Sequence, residues 1–292
     1  MTTSDRSSQS SENPYGTGID LHTHTTASDG LLSPAALVEE ASRRGIVVLG
    51  VTDHDTIDGL APAKVAAAGI GLTVVPGVEL STTIPGPEIH ILGYFVDPDD
   101  PEFVGRLAEL AQDRVRRIHI VVDQLRNAGY DLDLDAILAQ GDAGSIGRPH
   151  VARALIEIGA AADMNDAFTR FLRRGTVGWA PRSPFTAEEA VALLLENGAV
   201  PVLAHPYSTQ DVAGVVERLV PAGLRGLEVY YGEYDTEQQA ALLDVANQWG
   251  LTPTGGSDFH GPKFREGRDL GTVEMPRTVW PQLRQAAGGT RS

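Results

Sequence analysis

Two histidines two residues apart, His22 and His24, close a short apolar run and are followed by Asp29 and Gly30. Alternate side chains of a strand share a face, so Asp20, His22 and His24 point the same way. Imidazoles at this spacing, with a carboxylate five residues on, make the start of a metal site. The same chemistry recurs in Asp53-His54-Asp55, Glu79, His90, His205 and Asp258-Phe259-His260. Nearly all of these residues follow or close an apolar run, at the expected C-terminal end of a strand. That edge is where parallel α/β folds build their sites. One histidine so placed is more often a satisfied polar residue than a ligand. Six of the eight histidines in the chain are so placed, and chance does not explain that. With Asp29, Glu79 and Asp258 they make nine candidate ligands, too many for one ion and suited to two or three. The chain has no cysteine, so nitrogen and oxygen must hold the metal, which suits Mn²⁺, Fe²⁺, Zn²⁺ or Co²⁺.

The elements that must position these residues alternate. Strands are expected at 19–21, 47–52, 72–79, 89–94, 200–205, 226–230 and 252–258, and helices at 34–44, 57–68, 186–197, 211–221 and 236–249. Ser33 reads as an N-cap with Pro34 at the first helical position, and Gly45 as the stop. Alternation of this kind predicts an α/β fold with a parallel sheet, open or closed into a barrel. Residues 99–182 break the rhythm with helical patterns at 102–128, 134–140, 149–158 and 165–172. The expected organisation is a disordered tail over 1–17, a barrel domain from 18–98 and 183–280, a helical insertion over 99–182, and a C-terminal tail over 281–292.

Composition narrows the function. The 292 residues suffice for one large domain, or one carrying an insertion. No apolar run reaches the length of a membrane span, and the Ser-rich N-terminus lacks the apolar core of a signal peptide, so a cytoplasmic protein is expected. A net charge of −16 argues against a broad phosphate-tracking surface, and so against duplex nucleic acid as a partner. Attraction of an anion must then be local. Arg148, just before Pro149 at an expected helix start, offers a guanidinium beside free backbone N–H groups. His150 could join it or be structural. Arg114, Arg116, Arg117 and His119 share one helix, with Arg114 and Arg117 on one face; they either reach a second phosphate or are solvated, and the solvated reading is favoured. Tyr207, Tyr230 and Tyr231 either flank a base or pack in the core. Asp20, Asp53 and Asp55 are candidates to orient an imidazole from behind. Gly255-Gly256 is expected to let backbone approach closely, and the loop from Ser81 to Glu88 carries no assignable chemistry.

The ordered set Asp20-x-His22-x-His24-x4-Asp29-Gly30, Thr52-Asp53-His54-Asp55, Gly77-Val78-Glu79, Ile89-His90-Ile91-Leu92-Gly93-Tyr94, Ala204-His205-Pro206 and Gly256-Ser257-Asp258-Phe259-His260 resembles the PHP (polymerase and histidinol phosphatase) superfamily. The resemblance runs from about residue 19 to 275. It implies a distorted (β/α)7 barrel with a trinuclear metal site at its C-terminal rim. Residues His22, His24, Glu79 and Asp258 would hold one ion, Glu79, His90 and His205 a second, and Asp29, His54 and His260 a third. Manganese is the first expectation, with iron or zinc as alternatives. The inserted segment, with Ser145-Ile146-Gly147-Arg148-Pro149-His150, is similar to the subgroup that hydrolyses nucleotide phosphates. That subgroup acts on 5′-AMP, nucleoside 3′,5′-bisphosphates or the 5′ ends of short RNA. On this reading Asp29, His54, His205 and Arg148 are catalytic, and Arg148 and His150 bind substrate. The rival readings are a histidinol-phosphate phosphatase, a metal-dependent amidohydrolase, and a metal-stabilised binding module without turnover.

Overall fold

Local sequence sets where the elements start. The Oγ of Ser33 accepts a hydrogen bond from the Ala36 amide at 3.3 Å, and Asp100 accepts from Glu102 and Phe103. Thr186 with Glu189, and Asp235 with Gln238, close reciprocal capping boxes. A computed structural model describes residues 15–16, 18–83, 88–140, 145–262, 264 and 267–288.

In chain order the elements are β1 (Tyr15–Gly16), β2 (Ile19–Asp20), α1 (Pro34–Arg43), β3 (Val48–Val51), α2 (Leu60–Ala67), β4 (Thr73–Thr83) and β5 (Glu88–Tyr94). Then come α3 (Pro101–Asn127), α4 (Leu134–Ala139), α5 (Arg148–Glu157), α6 (Met164–Ala167) and a π turn at Phe168–Leu172. The chain continues with α7 (Ala187–Glu196), β6 (Val200–Leu203), a 3-10 turn at Pro206–Ser208, α8 (Val212–Leu219), β7 (Gly226–Tyr231), α9 (Thr236–Trp249), β8 (Thr252–Gly256), β9 (Met275–Pro276) and α10 (Val279–Gly288).

Seven strands form one sheet in the order β2-β3-β4-β5-β6-β7-β8. The sheet curls into a nearly closed barrel. At the seam the Leu21 amide donates to the Gly255 carbonyl at 3.3 Å, and Thr23 bridges to Phe259. The expected all-parallel sheet is corrected at β5, which runs antiparallel to both β4 and β6. The connection from Thr83 to Glu88 is too short for a crossover, which needs a dozen residues or more, so β4 and β5 pair as hairpin arms. β4 consequently extends four residues beyond the expected end at 79 and carries Glu79 in mid-strand. His90 sits near the start of β5 rather than at a strand end, because the inverted strand begins at the site rim.

Inversion of β5 also sets where the helical segment begins. Tyr94, its last residue, pairs with Val200, the first of β6, at the opposite end of the barrel. From there α3, 27 residues long and so about 40 Å, runs back. Its Phe103, Leu107 and Leu110 belong to the barrel core, while Ile118, Val121, Val122 and Leu125 belong to a second apolar cluster built with α4, α5, α6 and the π turn. Arg114 and Arg117 lie on the same helix face between the two sets.

Two terminal expectations change. Residues 281–288, expected as tail, are helical, because Val279 and Leu283 share a face and are buried against the barrel core. Of the expected N-terminal tail, Tyr15–Gly16 pairs with Met275–Pro276, and residues 1–14 lie outside the described residues. Among the described residues no helix is long and apolar enough to cross a membrane.

The expected close approach at Gly255-Gly256 is present. A Cβ on Gly256 would stand 2.4 Å from the His22 amide nitrogen and 2.5 Å from the His22 Cβ, and one on Gly255 would stand 2.3 Å from the Tyr230 carbonyl oxygen. Gly256→Ala must therefore push the seam apart. We expect a loss of about 1–3 kcal/mol, read as a lower urea midpoint at unchanged m-value. An unshifted midpoint would refute the close packing at this seam.

Candidate metal centre

The strands deliver the ligating side chains to one mouth. His22 and His24 alternate along the segment after β2. The segment after β3 continues alongside β4, with the Glu79 amide donating to Asp53 O at 3.1 Å and the Asp55 amide to Glu79 O at 3.0 Å. His54 is thereby set directly against Glu79. The Glu79 Oε2 atom lies 3.2 Å from His22 Nε2, 3.1 Å from His24 Nε2 and 3.1 Å from His54 Nδ1. Its Oε1 lies 2.8 Å from His90 Nδ1 and 3.0 Å from His205 Nε2. Asp258 Oδ1 lies 3.4 Å from His22 Nε2 and 3.2 Å from His24 Nε2. Asp29 Oδ1 lies 3.3 Å from His260 Nε2, and its Oδ2 lies 3.8 Å from His54 Nε2.

Three groups bring ligating atoms within 4.8 Å of one another: His22, His24, Glu79 and Asp258; His54, Glu79 and His90; and His24, Asp29, His54 and His260. The first matches an expected set. The second has His54 where His205 was expected, although His205 meets the same Glu79 oxygen as His90. The third adds His24 to the expected trio.

This donor set suits cations. His22 Nε2, both ring nitrogens of His24, His54 Nδ1 and Glu79 Oε2 are buried without a hydrogen-bond partner, and such orphans are costly in a protein interior. Burial alone would lower the His24 pKa, but the carboxylates of Asp258 and Glu79 beside its ring raise it to about 10. Burial would raise Glu79, Asp29 and Asp258. Imidazoles around the first two, and Arg268 with His22 around the third, instead hold all three well below the usual carboxylate range. Positive charge is thus demanded at points where ring nitrogens converge, and metal binding displaces protons from such ligands. Imidazole with carboxylate and no thiolate suits Mn²⁺, Fe²⁺, Zn²⁺ or Co²⁺.

Behind the ligands stands a layer that sequence reading placed only in part. Asp20 accepts from the Ser257 and Gly271 amides at 2.9 and 3.0 Å. Asp53 accepts from the Thr25 amide at 2.7 Å and from the hydroxyls of Thr25 and Ser28. Asp55 accepts from the Ser81 amide and from Arg114. These aspartates are buried and tie loops together; none of them accepts a hydrogen bond from an imidazole. The side chains that grip ligands are instead Glu228, which meets His22 Nδ1 at 2.9 Å, and Tyr231 and Arg268, which meet Asp258 Oδ2 at 2.8 and 2.6 Å. Glu228 had one signal, as a lone acid in the otherwise apolar run of β7. Arg268 had none locally.

The centre floors a cavity of about 1270 Å³. One wall is cationic. Arg114 and Arg117, expected to be solvated, are buried because they sit on the apolar face of α3. Arg114 donates to Asp55 and Ser81, and Arg117 to Glu88 and the Ala180 carbonyl. Arg148 and Arg182 also pair with Glu88, and Arg182 reaches Asp55 at 3.4 Å. Four guanidinium groups thus share two carboxylates, leaving a local excess of positive charge. Arg116 and His119 face solvent, as expected. His150, a candidate substrate contact, is turned inward: its Nδ1 accepts from the Gly147 amide at 3.1 Å, burial lowers its pKa to about 4, and it is absent from the cavity lining. Tyr207, Tyr231 and Tyr234 also line the cavity, while Tyr230 packs in the core.

Comparison with known proteins agrees with this geometry. A family model for the PHP domain matches residues 20–160. The chain is 35% identical over 276 residues to the 5′-3′ exoribonuclease Rnm of Escherichia coli, covering 92% of each. It is 34% identical to a 3′,5′-nucleoside bisphosphate phosphatase of Chromobacterium violaceum, covering 91% of this chain and 96% of that one. A Bifidobacterium adolescentis structure described as a metal-dependent phosphoesterase matches with a TM-score of 0.84 at 29% identity, covering 91% and 95% of the two chains. Strand-end histidines, a nearly closed seven-stranded barrel and end-to-end similarity to these relatives together place the chain in the PHP family.

Proposed function

We propose that the protein is a metal-dependent phosphoesterase for nucleotides, removing phosphate from nucleoside 3′,5′-bisphosphates or 5′-AMP and trimming the 5′ ends of short RNA. One observation carries the reading: nine imidazole and carboxylate ligands cluster together, seven of them lining a cavity that the four guanidinium groups of the cationic wall also line. A wall of that charge suits a phosphate. A C–N substrate would not need it, so amidohydrolysis is the weaker reading.

Three divalent cations, manganese first, would be held by His22, His24, Glu79 and Asp258, by Glu79, His90 and His205, and by Asp29, His54 and His260. Such cations supply Lewis acidity toward phosphoryl oxygens and acidify water at neutral pH. The protein side chains do the rest. His54, His90 and His205 are the most exposed of the ligands, and all three line the cavity, so the reacting ester approaches from their side. Arg148, the first residue of α5, presents its guanidinium to the cavity and orients the anion. Arg114, Arg117 and Arg182 surround the two carboxylates nearby and keep that wall positive. Tyr207 and Tyr234, edge to face at 5.0 Å, offer a platform for the base. The acidic remainder of the surface repels longer polyanions and favours short ones.

Metal-stripped protein is expected to release no phosphate from adenosine 3′,5′-bisphosphate, and manganese to restore release. Loaded protein should retain three equivalents by elemental analysis, and retention of a single equivalent refutes the trinuclear reading. Rates on AMP, adenosine 3′,5′-bisphosphate, a 5′-phosphorylated trinucleotide and histidinol phosphate decide the substrate class. Near-exclusive turnover of histidinol phosphate ends the nucleotide proposal. Loss of a charge-assisted contact costs about 1.5–3 kcal/mol, so Arg148→Ala should lower kcat/KM roughly 10- to 100-fold. An unchanged kcat/KM removes Arg148 from the site.

A further inference from the structure

Glu228 has no role in the ligand sets, yet it is one of the most deeply enclosed carboxylates in the chain, with none of its surface exposed. It sits in the middle of β7, between Leu227 and Val229, both fully buried. Taking a carboxylate out of water is costly unless strong partners replace the solvent. Among the described residues its hydrogen-bond partners are two, and both belong to the candidate ligands. Its Oε1 lies 2.9 Å from Nδ1 of His22, and its Oε2 accepts the backbone N–H of His205 at 2.6 Å.

We propose that Glu228 is the positioning residue of the metal centre, a single carboxylate that sets the proton position on His22 and pins the strained backbone of His205. The proposal rests on the metal reading above and deepens it.

The first half follows from donor and acceptor inventory. An ionised carboxylate only accepts, so the atom facing it on His22 must be N–H. A neutral imidazole carries one ring proton. With that proton on Nδ1, the Nε2 lone pair is free, and Nε2 is the atom that faces Glu79 and Asp258 at 3.2 and 3.4 Å. The opposite tautomer would put a hydrogen where a cation must be bound. Ligating histidines are commonly oriented this way. His24, two residues on, has no such partner on its Nδ1, so the role falls on His22 alone of this pair.

The second half follows from backbone conformation. His205 has φ 27° and ψ 64°, a left-handed setting that a residue with a Cβ adopts only when surroundings impose it. This bend takes the chain off the end of β6 and turns the His205 ring toward Glu79 Oε1, 3.0 Å from its Nε2. The amide freed from the strand ladder at this bend is the one Glu228 accepts. Ligands from the β2 and β6 ends, 183 residues apart, are therefore registered against one side chain on β7.

Glu228→Gln tests the idea with almost no change in volume. Its carboxamide has one acceptor oxygen, while both partners are donors. With the NH₂ toward His22, the ring must accept on Nδ1 and carry its proton on Nε2. With the NH₂ toward His205, two N–H groups face each other and the bend relaxes. Either orientation weakens a ligand. Metal affinity is read by chelator competition with manganese, and melting temperature is measured with and without metal. We expect E228Q to bind its weakest equivalent 10- to 100-fold less tightly and to gain less melting temperature on loading than the wild type. A merely structural Glu228 would lower the melting temperature of the metal-free protein and leave chelator competition unchanged, and that result overturns the proposal. Should E228Q fail to fold, nitrogen NMR of histidine-labelled wild type loaded with zinc still decides. A proton on His22 Nδ1 supports the assignment, and one on Nε2 refutes it. Wild-type protein that retains no metal removes the centre and both readings with it, whereas normal loading of wild type and variant alike overturns Glu228 alone.

Discussion

Five imidazole nitrogens converge on the one carboxylate of Glu79, each within 3.2 Å of an oxygen. No arrangement of protons satisfies so many ring nitrogens and two oxygens at once, and several of these atoms are left without hydrogen bonds. The barrel mouth is built around that dissatisfaction. Strands β2, β3 and β6 each lead into a histidine that faces Glu79, β5 carries one near its start, and β4 supplies the acid in its interior. A carboxylate in the middle of a hydrogen-bonded strand is held more rigidly than one on a loop, and preorganised ligands bind at lower cost. Backbone bends then aim the rest: Asp55, His205 and Asp258 all have positive φ without being glycine, a concentration of strain typical of functional sites.

The second constraint is mechanical. Helix α3 takes part in two apolar clusters, one under the barrel and one among α4, α5 and α6. Its two buried arginines lie at the waist between them. A guanidinium there has little choice of rotamer, because the helix is clamped on both sides. Asp55 and Glu88, from the barrel strands and their extensions, fix the arginine tips. The cationic wall and the metal floor are thus held to each other by ion pairs in a site shielded from bulk water, where charge interactions are stronger than on a surface.

Much of this was legible in the chain because the information was local. Alternation placed His22 and His24 on one face, and the ends of apolar runs marked His54, His205 and His260. The inversion of β5 was written in the short turn between two apolar runs, a hairpin signal that regular α/β alternation outweighed. Arg114 and Arg117 fall on the stripe Leu107, Leu110, Ile118, Val121 and Leu125 at helical spacing, so their burial was also inscribed; charge alone suggested solvent. His150, for which binding and structural roles were both open, faces inward. Arg182, Arg268 and Tyr234 had no local signature. Their positions depend on how distant segments meet, which spacing along one element does not encode. Glu228 stands between these cases: its strand revealed an anomaly, and only the packing revealed its partners.

Every candidate ligand comes from the barrel strands and the turns just beyond them, whereas all four wall arginines come from one uninterrupted stretch between β5 and β6. The metal ligands and the cationic wall are therefore carried on separate pieces of chain. Because β5 runs backwards, that stretch leaves and re-enters at the far end of the barrel, away from the reacting group. A change of length there leaves every strand that carries a ligand uncut.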